Sequence, residues 1–379
     1  MLQETLYRTL LLRIKKGDVT KIDLPVIRTI LDELLPSLNI VLTEEERAKE
    51  EKAVYDMMLG LGPLEPLMQD TSVTEIMVNG YDQVFVERHG QIEPTSIQFF
   101  DEAHLMHIIS RVVGKAGRRI DESSPLVDAR LEDGSRVNAI IPPLSLVGPV
   151  LTIRKFPHRV LSLQDLIDKK SLSPKMAEFL KSAVHRKQNC IISGGTGTGK
   201  TSTLNAICGL IPQQERIITI EDSAEIKMEH PHWVALESRL ANLEGKGEIP
   251  IRLLLKNALR MRPDRIVVGE IRGGEALDML QAMNTGHRGS LSTVHANSPL
   301  ESLYRIETMV LMGDVNLPLP AVRAQIIQGI DLIIQMARLP SGERKINQIT
   351  EIEKSMDTSD YRLKDRFKWQ SSSQQFCAC

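Results

Sequence analysis

Eight consecutive residues constrain this chain more than anything else in it: Gly194-Gly195-Thr196-Gly197-Thr198-Gly199-Lys200-Thr201, which fit the spacing G-x-x-x-x-G-K-[ST]. The context that spacing needs is also present. Residues 189–193 read as an apolar strand before it, and Leu204, Ile207, Cys208 and Ile211 recur at helical spacing after it. Glycines let the backbone curl so that successive N–H groups point into one concavity, and the following helix adds the positive end of its dipole. A polyphosphate is the expected occupant, held by residues 194–201 with Thr203 in the next turn. Lys200 is expected to reach the terminal phosphates and the Thr201 hydroxyl to hold Mg²⁺.

The rest of the chain supplies the scaffold such a loop requires. Short apolar runs at 190–192, 217–220, 266–268 and 291–294 alternate with amphipathic helices, the pattern of a parallel sheet covered on both faces. Ser173 with Pro174, and Ser298 with Pro299 and Glu301, mark helix starts, and 332–339 with 345–352 read as a hairpin around Pro340-Ser341-Gly342. Upstream, residues 2–60 are helical, with Thr43 and Glu46 at capping-box spacing. From Thr74 the period falls to two, giving strands at 74–78, 83–88, 126–131, 136–141 and 150–156. Asn79-Gly80, His89-Gly90 and Asp133-Gly134 supply turns, and a helix at 101–115 interrupts the strands. The expected division is a helical extension 1–58, an α+β domain 59–156, a linker 157–171, an α/β domain 172–354 and a polar tail 355–379.

Composition removes several classes. With 379 residues the chain is long enough for two or three domains, and 47 Lys+Arg against 49 Asp+Glu leave a net charge of −2 with no global basic footprint. No run approaches the roughly 18 apolar residues of a membrane span, and the start has no signal-peptide pattern, so a cytoplasmic location is expected. Cys190 and Cys208 sit in apolar periodic segments and read as buried thiols; Cys377-Ala378-Cys379 reads as part of a solvated tail.

A phosphate binder hydrolyses its ligand only if something orients water near the terminal phosphate. Glu221 with Asp222 closes one expected strand and Glu270 another, and in a parallel sheet these ends emerge at the carboxyl edge beside the loop. Both glutamates are candidates to face one Mg²⁺, although a strand-end acid alone is often merely solvated. His287 and His295 bracket the last short strand, with His295 at its exit. Arg239, Arg252, Arg260, Arg262 and Arg272 crowd the flanks of Glu270, some of them as surface or ion-pair residues.

The ordered set resembles the type II/type IV secretion ATPase superfamily. Residues 218–222 look like its Asp box, Val267-Val268-Gly269-Glu270 like its atypical Walker B, and 285–297 like its His box. Asn242-Leu243-Glu244-Gly245-Lys246-Gly247 and residues 257–265 most resemble the tight-adherence (Tad/Flp) pilus branch, the CpaF-like ATPases. The resemblance covers about residues 59–352. It implies a RecA-like P-loop C-terminal motor domain and a smaller N-terminal α+β domain, with ATP between the two. It also implies Mg²⁺, a homohexameric ring and an inner-membrane platform protein as partner, placing the chain peripherally at that membrane. It further implies that N-terminal-domain arginines reach the phosphates, and the matching segments here carry Arg130, Arg136 and Arg154.

Two rivals follow from the same residues. A nucleic-acid-stimulated RecA-like motor shares the core, but 4% aromatic residues and the neutral balance give little for bases and backbone, so no nucleic-acid partner is expected. A regulatory subunit that binds nucleotide without hydrolysing it is opposed by Lys200, Thr201, Glu221 and Glu270 together.

Overall fold

The computed structural model describes residues 2–156, 160–239, 241, 246–313, 317–355, 359–370 and 375–378. The chain divides into two compact units, Met1–His158 and Arg159–Cys379, each around its own core.

The first unit opens with α1 (Leu2–Lys16), α2 (Leu24–Leu38) and α3 (Glu44–Leu59). Asp23 accepts the Val26 N–H to start α2, and Thr43 and Glu46 cap each other's backbone N–H at the start of α3, as their spacing predicts. Leu6, Leu10, Ile27, Ile30, Leu31 and Val54 close the bundle. Polar contacts tie it to the rest of the unit. The Tyr7 hydroxyl lies 2.8 Å from His107 Nδ1, Arg8 pairs with Asp101 at 2.7 Å, and Arg111 donates to the Met57 and Met58 carbonyls that end α3.

After a short helix α4 (Glu65–Gln69) come β1 (Val73–Asn79), β2 (Val84–Arg88), β3 (Gln91–Pro94), α5 (Glu102–Lys115), β4 (Leu126–Arg130), β5 (Arg136–Ile140) and β6 (Val150–Arg154). Among the described residues these strands form one antiparallel sheet in the order β3-β2-β1-β6-β5-β4. Alternation turns Ile76, Val78, Val137, Ala139, Leu151 and Ile153 into a core with Leu105, Ile108 and Val112 of α5. The other face of β1, β2, β4, β5 and β6 mixes polar residues such as Glu75, Asn138 and Thr152 with apolar ones such as Met77, Phe85 and Leu126.

The second unit holds α6 (Leu163–Asp168), α7 (Pro174–His185), β7 (Cys190–Gly194), α8 (Lys200–Cys208), β8 (Ile217–Glu221), β9 (Trp233–Glu237), α9 (Ile251–Ala258), β10 (Arg265–Val268), α10 (Glu275–Asn284), β11 (Leu291–Val294), α11 (Pro299–Leu311), α12 (Leu319–Gly329), β12 (Leu332–Arg338), β13 (Arg344–Ile352), β14 (Leu363–Gln370) and β15 (Gln375–Ala378). Among the described residues its sheet has nine strands in the order β15-β14-β13-β12-β7-β11-β10-β8-β9, parallel from β12 to β9 and antiparallel across β13 to β15. Ile218, Ile220, Val268, Val294 and Ile333 join α9 to α12 in one core. Ile217, Ile192, Val267 and Ile334 join α7 and α8 in the other, so the strands are apolar on both sides.

Two segments differ from their sequence reading. The expected linker 157–171 contains α6, capped by Ser162, with 157–159 outside the described residues. The expected polar tail 355–379 supplies β14 and β15; Phe367 and Phe376 pack against the core around α7 and α8, and Trp369 meets Phe376 edge-on at 4.7 Å. Cys377 is half-buried on β15, while Cys379 lies outside the described residues. Cys190 and Cys208 are buried, and burial raises both thiols, that of Cys190 to about 12. Among the described residues no helix is long and apolar enough to cross a membrane.

Candidate functional site

The phosphate loop forms because β7 stops at Gly194 while α8 begins at Lys200. Gly197 and Gly199 take φ of 70° and 92°, a conformation that strains any side chain, and Gly199 delivers the chain into α8 with the helix N–H groups toward the concavity. The outer arc, Thr196 and Gly197, is exposed; Thr198, Lys200 and Thr203 are buried and Thr201 is half-buried. Thr198 Oγ1 donates to the Gly195 carbonyl at 2.9 Å, and Thr203 Oγ1 approaches Met336 Sδ at 3.3 Å. The Lys200 ammonium is folded back, donating to the carbonyls of Gly194 at 3.0 Å and Gly195 at 2.9 Å. A cradle of this shape, with one buried cation inside it, fits a polyphosphate.

Sheet order decides what stands beside it. Val294 registers with Ser193, so β11 releases His295 next to Gly194; Val268 registers with Ile220, so β10 and β8 release Glu270 and Glu221 at the same edge. A chain of contacts then crosses the strands. Lys200 Nζ lies 3.3 Å from His295 Nδ1, and His295 Nε2 lies 2.7 Å from Glu270 Oε1. Arg272 donates from Nε at 2.9 Å and Nη2 at 2.6 Å to Glu270 Oε2, with its Nη1 3.9 Å from Asp222 Oδ2. The tautomer follows. An ammonium has no lone pair to accept with, so Nδ1 accepts from Lys200 and the imidazole proton sits on Nε2, facing the carboxylate. Burial lowers the His295 pKa, Glu270 opposes that shift, and Lys200, Arg272 and Arg305 reinforce it, which keeps the ring neutral at pH 7. Glu270, Ile271, Arg272, His295 and Arg305 line a cleft of ≈ 210 Å³.

The sequence treats the two glutamates alike; the structure separates them. Glu221 is 3% exposed, and its carboxylate accepts the backbone N–H groups of Glu225 at 3.0 Å and Ile226 at 3.1 Å. It fits there because residue 269 is glycine: a β-carbon at Gly269 would come 2.7 Å from Glu221 Cγ. Burial pushes its pKa up to about 7 against the pull of those N–H groups. Its carboxylate is thus turned into the segment that follows β8, whereas that of Glu270 reaches Lys200 through one histidine. Among the described residues no three His, Cys, Asp or Glu side chains gather as a metal site. A magnesium held through phosphate oxygens and one or two protein oxygens needs no such cluster.

The other candidates sort by contact. His287 stands before β11, at the opposite edge of the sheet, with Nδ1 3.3 Å from the Pro263 carbonyl. Arg252 pairs with Asp278 at 2.8 Å, and Arg239 donates to the Gly247 carbonyl at 2.8 Å. Arg265 is fully buried against Glu215, Val184 and Gly289. Residues 242–245 of the 242–247 motif lie outside the described residues.

In the first unit, Arg130 registers with Arg136 and Arg136 with Arg154; Arg154 registers with Glu75, and Glu75 with Glu87. Alternation places all five on the face away from α5, so two acids and three bases run in one row across five strands. Arg154 is exposed and opposes the rise that burial imposes on the Glu75 carboxyl.

Comparison with known proteins agrees with this geometry. The family described as "Type II/IV secretion system protein" matches residues 58–377, most of the chain. The chain belongs to the type II/IV secretion system protein family. The type IV secretion system protein VirB11 of Bartonella henselae is 32% identical over 340 residues, covering 79% of this chain and 94% of that protein. The conjugal transfer protein TrbB of Rhizobium radiobacter is 32% identical over 292 residues, covering 76% and 85%. Among solved structures, that of the pilus retraction motor PilT with bound ADP superposes with a TM-score of 0.55 at 21% identity, covering 79% of this chain and 81% of that one, which shows the shared RecA-like two-domain fold. The secretion-family match also runs about 25 residues past Ile352, where the sequence resemblance stops, and so takes in β14 and β15.

Four residues near the secretion-family site carry no signal in spacing. Arg305 reaches the cleft from α11. The hairpin of β12 and β13 brings Arg338 and Arg344, opposite each other in register, against Gly197 and Gly199. Gln335, on β12, donates to the Ala296 carbonyl at 3.2 Å, one residue beyond His295. Sequence alone marks these positions only as parts of a helix and a hairpin.

Proposed function

We propose that this chain is a Mg²⁺-dependent ATPase that powers assembly of a Tad/Flp-type pilus or secretion of protein across the bacterial envelope. In this reading it works as a homohexamer against an inner-membrane platform protein. The observation that supports the reading most is the contiguous chain Lys200, His295, Glu270. It brings the phosphate cradle within one histidine of a carboxylate that Arg272 holds by one oxygen. Neutral His295 stands with Nε2 2.7 Å from Glu270 Oε1, close but not aligned as a hydrogen bond, so that oxygen is free to turn to a ligand; Arg272 holds the second oxygen and fixes the carboxylate's direction. Glu270 is then the group that orients water, and Lys200 exchanges its contacts with the Gly194 and Gly195 carbonyls for phosphate oxygens. Thr201 and Glu270 would hold Mg²⁺, with Glu221 the other candidate, and the ion would neutralise phosphate charge. Arg130, Arg136 and Arg154 are the first unit's candidates for the same charge, and an arginine fork suits it. Work requires that ATP favour one arrangement more than ADP does, because a ligand that binds both equally shifts neither. Residues 257–265 support the Tad/Flp branch, and the near-neutral charge with 4% aromatic residues supports a protein cargo over a nucleic acid.

Phosphate release by the purified chain tests this. Turnover is expected with Mg²⁺, is expected to vanish with a chelator, and is expected to stay unchanged on adding DNA or RNA. Stimulation by either nucleic acid would favour the RecA-like nucleic-acid motor, and no turnover by the oligomer would favour a regulatory subunit.

A further inference from the structure

Gln335 stands in the middle of an apolar sheet without an obvious reason. Its neighbours on β12, Ile333, Ile334 and Met336, are buried and apolar, and Gln335 itself is 2% exposed. A buried amide is costly unless its groups are paired, by about 1–3 kcal/mol for each group left unmet. Half of this one is paired: Nε2 donates to the Ala296 carbonyl at 3.2 Å and approaches the Met336 carbonyl at 3.4 Å. Two carbonyl partners can be met only by the NH₂ end, so the orientation of the amide is fixed by its surroundings. The other half, Oε1, is buried without a hydrogen bond. So is Oγ of Ser193, the residue in register with Gln335 on β7 and the last before the phosphate loop.

The same two positions of β12 touch both ends of the loop. The Met336 carbonyl is packed so closely on Gly194 that a β-carbon there would come within 2.8 Å of it, while the Met336 side chain reaches Gly199 and Thr203. Residues 335 and 336 therefore contact the entry of the phosphate loop, its exit, and the strand end that carries His295.

We infer that Gln335 is a positioning residue: its amide clamps the exit of β11 to the strand beside the phosphate loop and so holds His295 between Lys200 and Glu270. This gives the loop a second route to Glu270, parallel to the direct contact of Lys200 with His295. When Lys200 leaves the Gly194 and Gly195 carbonyls, the loop moves against Met336, and the Gln335 amide carries that movement to Ala296. The inference rests on the ATPase reading for its consequence in turnover, but the clamp itself is made by the protein's own groups.

The test uses the full chain with Gln335→Met, which keeps size and removes the donors, and Gln335→Asn, which keeps the amide one methylene short. Amide hydrogen exchange without nucleotide reads the clamp. Residues 294–298 are expected to exchange about tenfold faster in either variant, the loss of roughly one hydrogen bond, while β13 exchanges as in the wild type. With ATP, kcat is expected to fall about tenfold with KM within about twofold, because the loop that binds phosphate is intact. Wild-type exchange at 294–298 in a folded variant overturns the inference, as does faster exchange spread evenly over the unit, which would mark Gln335 as structural only. If the wild-type chain releases no phosphate, the ATPase reading fails while the exchange result still decides the clamp.

Discussion

The two sheets of this molecule bury their strands differently, and the difference decides where each can place chemistry. The nine-stranded sheet is covered on both faces, so its interior positions are committed to packing, and the candidate functional groups stand at its carboxyl edge: Lys200, Glu270 and His295. The six-stranded sheet buries one face against α5 and mixes polar with apolar residues on the other, where one row across the strands is wholly charged. Three arginines stand directly opposite one another in that row, with Glu75 beside Arg154 at one end. A change in the covered sheet should therefore register either at the edge, in chemistry, or inside, in stability. A change on the open face should move turnover with little effect on folding.

The largest effect is expected at the edge. Lys200→Ala removes charge-assisted hydrogen bonds to phosphate worth roughly 1.5–3 kcal/mol each, so nucleotide affinity should fall by about 100-fold or more by equilibrium dialysis. Unchanged affinity would detach the loop from nucleotide binding.

Next comes the interior, through Glu221. Burial raises its carboxyl from 4.5 to about 7, so the folded chain keeps a proton that the unfolded chain has lost. The stability this contributes is complete below about pH 4.5 and is lost as pH rises through about 7. For the wild type that amounts to about 3 kcal/mol between pH 4.5 and 8. Glu221→Gln keeps an oxygen for the N–H groups of Glu225 and Ile226, so urea unfolding should show a flatter pH profile and greater stability than the wild type at pH 8. A wild type whose stability showed no such fall would place the Glu221 carboxylate in a wetter setting than its burial gives.

The smallest effect is expected on the open face. Arg136→Ala, in the centre of the arginine row, should lower turnover about tenfold, between the ~1 kcal/mol of a solvated charge pair and the ~4 kcal/mol of a pair near a protein surface. Its melting temperature should change little, since Arg136 lies on the face of the sheet away from the core. A large loss of stability with normal turnover would reverse the comparison for this row.

Much of this was legible in the sequence because it is local. The residues 194–201, the caps at Thr43, Ser173 and Ser298, and the apolar runs of β7, β8, β10 and β11 are all read within a few positions of themselves. What stayed hidden depends on distant partners. β14 alternates, but Asp365 occupies an inward position, and only the donors Gln348 Nε2 at 2.7 Å and Thr350 Oγ1 at 2.8 Å show why an acid can sit there. β9 is a half-buried edge strand whose pairing is supplied by β8. Arg265 enters the sequence reading only as the end of the 257–265 segment, and its burial is explained by Glu215 and two carbonyls that surround it. The unequal roles of Glu221 and Glu270 rest on backbone N–H groups at 225 and 226, which no residue type announces.

Glu270→Gln, assayed side by side for nucleotide binding and for phosphate release, tests the central claim most directly. The variant should bind Mg²⁺-ATP within about threefold of the wild type, because the cradle and Lys200 are untouched, and should release phosphate at least about 100-fold more slowly, the usual range for removing a positioned base. Phosphate release at the wild-type rate would contradict the assignment of Glu270 and with it the chain of contacts from the phosphate loop to a catalytic carboxylate.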